Sequence, residues 1–219
     1  MAFSGYNFKS AEEIEFHLEP TAAGPSTVWA RSIARRLGCY VALGYPEYCA
    51  HSPSSPQGSM SRYNSAVLVS PQGNVLVNYR KHFLYTTDET WAEEGKEGFF
   101  SGEMPDGLGK LAMGICMDLN PRRFETPFEN YEFAHHVLDS KADLRLQPVL
   151  DKGPQGRSEE TIFVTCNRIG VERGASFAGT SVVVGVSKGN IKVYGCLGRG
   201  TEDLLVCEVP GPGKNSRRR

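Results

Sequence analysis

A chain of 219 residues, 40% of them hydrophobic and 22% charged, is long enough to enclose one substantial core, and a single domain over 1–209 is expected. A formal net charge of −1 argues against a general nucleic-acid or membrane-binding surface. Strong basic charge gathers only in KNSRRR (214–219), behind a Pro- and Gly-rich stretch, so 210–219 reads as a disordered basic tail.

In chain order, SAEEIEFHL (10–18) predicts a short helix with Ser10 as N-cap and Glu13 completing a capping box. Residues 26–37 place Val28, Trp29, Ile33 and Leu37 at helical spacing, with Gly38 as the stop signal. CYVALG (39–44) follows as a buried strand, and the Pro- and Ser-rich 46–61 as a loop. The β-rich runs 63–70 and 74–79 flank Pro71-Gln72-Gly73 and predict a hairpin that delivers Arg80 and Lys81 at its far end. After a polar loop with Asp88, Glu89, Glu93 and Glu94, an apolar strand leads to Cys116, and 124–138 reads as helix. Beyond it, 161–166, 181–186, 190–194 and 203–209 read as strands, with a Gly-rich turn between the first two. Strands outnumber helices and most neighbours can pair as hairpins, which implies an α/β fold with helices outside mixed sheets.

The candidate chemistry centres on LAMGICMDLNPRR (111–123). An apolar strand ending at Cys116 and followed by a capped turn puts the thiol near backbone N–H groups and the positive end of a helix dipole. That setting favours the thiolate and a developing oxyanion; the alternative is a core cysteine at a strand end. Lys81 closes a strand thirty-five residues before Cys116. Taken alone, it reads as a solvated end charge, and the acids of 88–94 read as an exposed loop. The six cysteines include no CxxC pair and the five histidines lack metal-ligand spacing, which argues against zinc. With no signal peptide or membrane-length apolar run, these cysteines are expected to be reduced thiols of the cytosol or nucleus.

Four ordered segments carry a resemblance: GYNFKS (5–10), RYNSAVLVSPQGNVLVNYRKHFLY (62–85), LAMGICMDLNP (111–121) and CNRIGVERGASFAGTSVVV (166–184). Together they resemble successive signatures of the nitrilase, or carbon–nitrogen hydrolase, superfamily. TDETWAEEG (87–95) and CMDLNP most resemble its fungal N-terminal-amidase branch. The resemblance implies an α-β-β-α sandwich, a Glu-Lys-Cys triad and hydrolysis of non-peptide C–N bonds without metal or other cofactor. It makes Cys116 the nucleophile that forms a thioester and releases ammonia, and Lys81 the triad lysine that steadies the oxyanion. The Met117 N–H would complete the oxyanion hole. A second glutamate that holds the lysine falls in 88–94, with Glu89 favoured over Asp88 and Glu93. Asp118 either binds the α-ammonium group of the substrate or caps backbone. The implied substrates are peptides or proteins with N-terminal Asn or Gln, converted to Asp or Glu; a small-molecule ω-amidase or nitrilase and a non-catalytic relative are the alternatives. Homo-oligomers are common in the superfamily, although no exposed apolar stripe in the sequence marks one.

Two departures from the pattern add expectations. The family's Pro-Glu pair should stand immediately before a MAFSGYNF-like loop, yet this sequence opens with that loop, and none of Glu12, Glu13, Glu15 or Glu19 matches. After KADL (141–144) a polar run replaces the family's strand and long helix. The sandwich is thus expected to be incomplete, lacking its first strand-helix-strand and a later strand-helix. Activity is expected to be impaired by loss of the catalytic glutamate, since general acid–base loss costs on the order of 10²–10⁴-fold.

Overall fold

The computed structural model describes residues 1–50, 60–140, the backbone of 144–145, 160–187 and 189–210, which fall into two compact units, Met1–Gly98 and Phe99–Arg219. The expected tail lies outside the described residues except for Pro210, as does most of the polar run after 145.

In the first unit, Ser10 Oγ accepts the Glu13 N–H at 3.3 Å and opens helix α1 (Ala11–Ile14), while the Glu13 carboxylate reaches back to the Lys9 N–H at 2.8 Å. A 3₁₀ turn, Glu15–His17, continues it. A two-residue strand β1 (Glu19–Pro20) then leads to helix α2 (Pro25–Leu37). The α2 N-cap is Gly24, which has no side chain to offer. The buried Glu19 carboxylate does the capping instead, accepting Ser26 N–H at 2.8 Å and Ser26 O–H at 2.5 Å, with its negative charge at the positive end of the helix. Gly38 ends α2 at φ 61°, the left-handed stop that the sequence signals.

Helix α2 buries a face other than the one its large apolar residues suggest. Ser26, Thr27, Ala30 and Ala34 point inward, whereas Val28, Trp29 and Leu37 are exposed. Small side chains let the helix approach the sheet closely, and Ala30 and Ala34 pack on Leu43, Tyr45, Val67 and Val69. That sheet has the order β1-β2-β3-β4, with β2 Val41–Cys49, β3 Ser61–Val69 and β4 Val75–Arg80. β1 runs parallel to β2, and the other pairs are antiparallel. The β3–β4 hairpin turns where expected, with Gly73 at φ 79° and its N–H on the Ser70 carbonyl at 2.8 Å. Strand β2 runs five residues beyond the expected Gly44, so Pro46 and Glu47 belong to the sheet rather than to a loop. The register explains this: Pro46 sits opposite Asn64, and Glu47, opposite Tyr63, is fully buried.

In the second unit, β5 (Phe100–Met104) and β6 (Gly109–Met113) form a hairpin. The expected helix over 124–138 begins only at α3 (Glu132–Ser140), because Pro121 and Pro127 break the preceding chain into short 3₁₀ turns. α3 buries Phe133 and Val137 against Ala112, Phe99 and Leu119, each such side chain contributing about 1.5–3 kcal/mol. The remaining strands are β7 (Leu144–Arg145), β8 (Thr161–Thr165), β9 (Ile169–Glu172), β10 (Ala175–Ala178), β11 (Val182–Ser187) and β12 (Asn190–Cys196). They build a mixed sheet of order β12-β11-β8-β7-β6-β5 and a separate β9–β10 hairpin. The hairpin stands where the sequence suggested only a Gly-rich turn; Arg173 and Gly174, at φ 48° and 84°, form its two-residue loop. Residues 203–209, expected as a strand, keep the alternation, with Leu205 and Cys207 half-buried and Leu204 and Val206 exposed, but join no ladder. The α/β class stands. Among the described residues no helix is long and apolar enough to cross a membrane.

Candidate active site

In the first unit the candidate residue is Lys81, the first residue beyond β4. Its N–H donates to the Asn64 carbonyl at 2.8 Å and its carbonyl accepts from Gly95 at 2.8 Å, so the backbone is held on both sides. The side chain is completely buried, and its ammonium donates to Asp88 Oδ2 at 2.5 Å. A lysine at a strand end is ordinarily a solvated charge; here it is enclosed together with a counter-charge. Asp88 is also fully buried and accepts from Tyr85 N–H at 3.0 Å, Tyr6 O–H at 3.3 Å and Asn64 Nδ2 at 2.9 Å. The Tyr6 ring centroid lies 5.9 Å from Lys81 Nζ, within cation–π range.

This corrects the choice within the acidic loop: the carboxylate on Lys81 is that of Asp88, and Glu89 is exposed. The reason is a helical turn. The N–H groups of Asp88 and Glu89 both donate to the Tyr85 carbonyl, at 2.7 and 3.1 Å, while Asp88 Oδ2 accepts the Tyr85 N–H; one acid is thereby turned inward and its neighbour outward.

Arg80, one residue earlier, has a separate buried partner that sequence reasoning missed. Its guanidinium donates to both oxygens of Glu47, the shortest contact being 2.5 Å from Nη2 to Oε1, and it lies 4.1 Å over the Tyr63 ring. Glu47 also accepts from Thr21 O–H (2.6 Å), Ser65 O–H (2.5 Å) and Asn78 Nδ2 (3.0 Å). Burial alone would raise the Glu47 carboxyl, but the hydrogen bonds from Arg80, Ser65, Thr21 and Asn78 outweigh it and hold the group below its ordinary value. Burial likewise works against the Arg80 cation, and Glu47 more than compensates, keeping the guanidinium charged.

In the second unit, β6 leads through Gly114 and Ile115 to Cys116, which opens a 3₁₀ turn, Cys116–Leu119. Cys116 has φ 49°, a left-handed conformation rare for a residue with a side chain, and it is exposed while Met117 and Asp118 are buried. Such strained elbows occur where a reactive side chain must be presented. The first N–H groups of a helical turn have no partner within it, and the Met117 N–H stands at that position. Asp118 Oδ2 accepts the Ile115 N–H at 2.7 Å, which ties the turn back to the residue before the cysteine. Of the two readings of Asp118, this is the backbone-facing one, made from within the turn rather than at its N-cap. A Cβ at Gly114 would lie 3.0 Å from the Phe133 ring, which would have to shift by a few tenths of an ångström to admit it. None of the six cysteines is joined in a disulfide.

Residues 1–123, which include Lys81, Asp88 and Cys116, match the carbon–nitrogen hydrolase family. Protein N-terminal amidase of Schizosaccharomyces pombe is 30% identical over 252 aligned positions, covering 95% of this chain and 84% of that protein. A crystal structure of N-terminal amidase with an Asn-Glu-Ala peptide shares the fold, with a TM-score of 0.76, 20% identity and coverage of 91% of this chain and 84% of that one. Another N-terminal amidase structure, with a Gln-Gly peptide, is 34% identical over 66% of this chain and 36% of that one, with a TM-score of 0.57.

Proposed function

The chain belongs to the carbon–nitrogen hydrolase family, and we propose that it removes the side-chain amide of an N-terminal Asn or Gln from peptides or proteins, giving Asp or Glu and ammonia. The observation that carries this reading is Cys116, an exposed thiol on left-handed backbone at the end of an apolar strand, in a chain that is similar to N-terminal amidase along nearly its whole length.

In the reaction, Cys116 Sγ attacks the carboxamide carbon and the C=O oxygen becomes an oxyanion. The Lys81 ammonium and the Met117 N–H receive that charge; preorganised donors of this kind are each worth on the order of 10²–10³ in rate. The thiol proton ends on the leaving nitrogen, the C–N bond breaks, ammonia departs and a thioester remains. Water then adds to the thioester carbon, the C–S bond breaks, and the product carboxylate and free thiol are restored. Asp88 holds the lysine tip in place, and Asp118 braces the elbow. This scheme requires the Lys81 ammonium to lie within hydrogen-bonding or one-water reach of Cys116 Sγ.

The test is ammonia release from Asn- and Gln-initiated peptides, from their N-acetylated forms, from free glutamine and from simple nitriles. Release confined to peptides with a free α-amino group is expected. Release from free glutamine or nitriles alone would assign a small-molecule amidase or nitrilase instead, and peptide binding without release would assign a non-catalytic role.

A further inference from the structure

Side chains alternate across a strand, so the neighbouring residues Arg80 and Lys81 face opposite sides at the end of β4, and β3 braces each from the matching neighbouring position. Ser65 donates to Glu47 on the arginine side, and Asn64 donates to Asp88 on the lysine side. Asn64 does more than its counterpart. Its backbone carbonyl accepts the Lys81 N–H at 2.8 Å, one step beyond the last ladder pair of Ser65 with Arg80. Its side-chain amide, 2.9 Å from Asp88 Oδ1, orients the carboxylate whose other oxygen takes the Lys81 ammonium. One residue therefore fixes the lysine at both its main chain and its charged tip.

Asn64 is 2% exposed, and among the described residues its Oδ1 has no hydrogen-bond partner. Turning the amide over would set that oxygen against a carboxylate, so the donor to Asp88 determines its orientation. A group buried for cohesion alone would be expected to satisfy both of its polar atoms.

We propose that Asn64 is a positioning residue that holds Asp88 and, through it, the Lys81 ammonium. The proposal rests on the reading of Lys81 as an active-site group. Removing the amide takes a hydrogen bond from the charged form of Asp88 and frees the lysine tip. Asn64→Asp instead sets two carboxyl groups side by side; they share one proton only at lower pH, and in that state the pair has the same charge as Asn64 with Asp88.

The experiment compares wild type with Asn64→Ala, Asn64→Asp and Ser65→Ala in the full chain, using two readouts. The first is the rate of Lys81 acylation by an amine-reactive ester, read by peptide mass spectrometry, which needs no substrate turnover. Asn64→Ala raises it several-fold, Ser65→Ala leaves it unchanged, and Asn64→Asp raises it at pH 8 but not at pH 5.5. The second is ammonia release from an Asn-initiated peptide. Asn64→Ala lowers kcat by about 10²-fold with little change in KM, the cost of misplacing a catalytic group, and Asn64→Asp moves the optimum to lower pH. If Asn64→Ala fails to fold, the pH dependence of Asn64→Asp decides the matter. Wild-type protection of Lys81 in Asn64→Ala, or a pH profile for Asn64→Asp that superimposes on that of wild type, would overturn the proposal. Absence of turnover in wild type, with the acylation pattern as stated, would instead count against the amidase reading.

Discussion

Two adjacent cations end one strand, each against a buried carboxylate, and the two pairs are built differently. Arg80 presents a planar fork to both oxygens of Glu47, whose acceptor sites are filled by donors from β3, β4 and Thr21. Among the described residues both oxygens of Glu47 are thereby occupied several times over. Lys81 meets one oxygen of Asp88, and among the described residues no other side chain takes a hydrogen bond from its ammonium. A lysine has three N–H donors, so two remain for an incoming oxygen. A carboxylate filled by a guanidinium fork and three neighbouring donors ties strands together, whereas an ammonium aimed by one carboxylate oxygen keeps donors for chemistry.

The difference should be sharpest in turnover. Lys81→Met is expected to lower ammonia release by about 10²–10³-fold, whereas Arg80→Met stays within a few-fold of wild type at a temperature where both are folded. Stability should reverse the emphasis: Glu47→Ala leaves a partly buried guanidinium without its buried partner and is expected to cost about 3 kcal/mol, measured by urea unfolding. Acid should act on the Glu47 pair next. Its folded-state pKa is depressed, so the stability it contributes is present above the ordinary carboxylate range and is lost as pH falls through the lower, folded value. Glu47→Gln should flatten that part of the acid-unfolding curve.

The smallest effect belongs to a half-buried group whose shift comes from burial rather than from a counter-charge. His136 packs against Phe99 and Phe133, and burial holds its pKa below the usual histidine value. The unfolded chain takes up the proton first, so stability is complete above about pH 6.5 and declines as pH falls toward the folded value. His136→Phe should remove that slope, a change of a few degrees in Tm between pH 7 and 5.

The sequence made the hairpin at Gly73, the capped α1, the stop at Gly38 and the strand leading to Cys116 legible, because turn chemistry and short apolar runs are local signals. It misled on the buried face of α2, since large apolar side chains announce themselves and the small ones that permit close approach do not. The hairpin around Arg173 and Gly174 lacked the usual Asn-Gly mark, and 203–209 had the alternation of a strand without a ladder. Among the candidate residues, Lys81 and Cys116 stand out through motif resemblance. Asp88 could not be separated from Glu89 by spacing, because one hydrogen-bonded turn decides which neighbour points inward. Glu47 and Asn64 gave no signal at all, as their roles arise only from cross-strand register.

The central claim is that Cys116 and Lys81 act as one unit on an N-terminal amide. Its most direct test is the rate of ammonia release from an Asn-initiated peptide by wild type, Cys116→Ala, Lys81→Met and the double variant. Groups that act together are strongly non-additive, so the double variant should be no slower than Cys116→Ala alone. Wild-type turnover by Cys116→Ala, or losses that multiply in the double variant, would contradict the account.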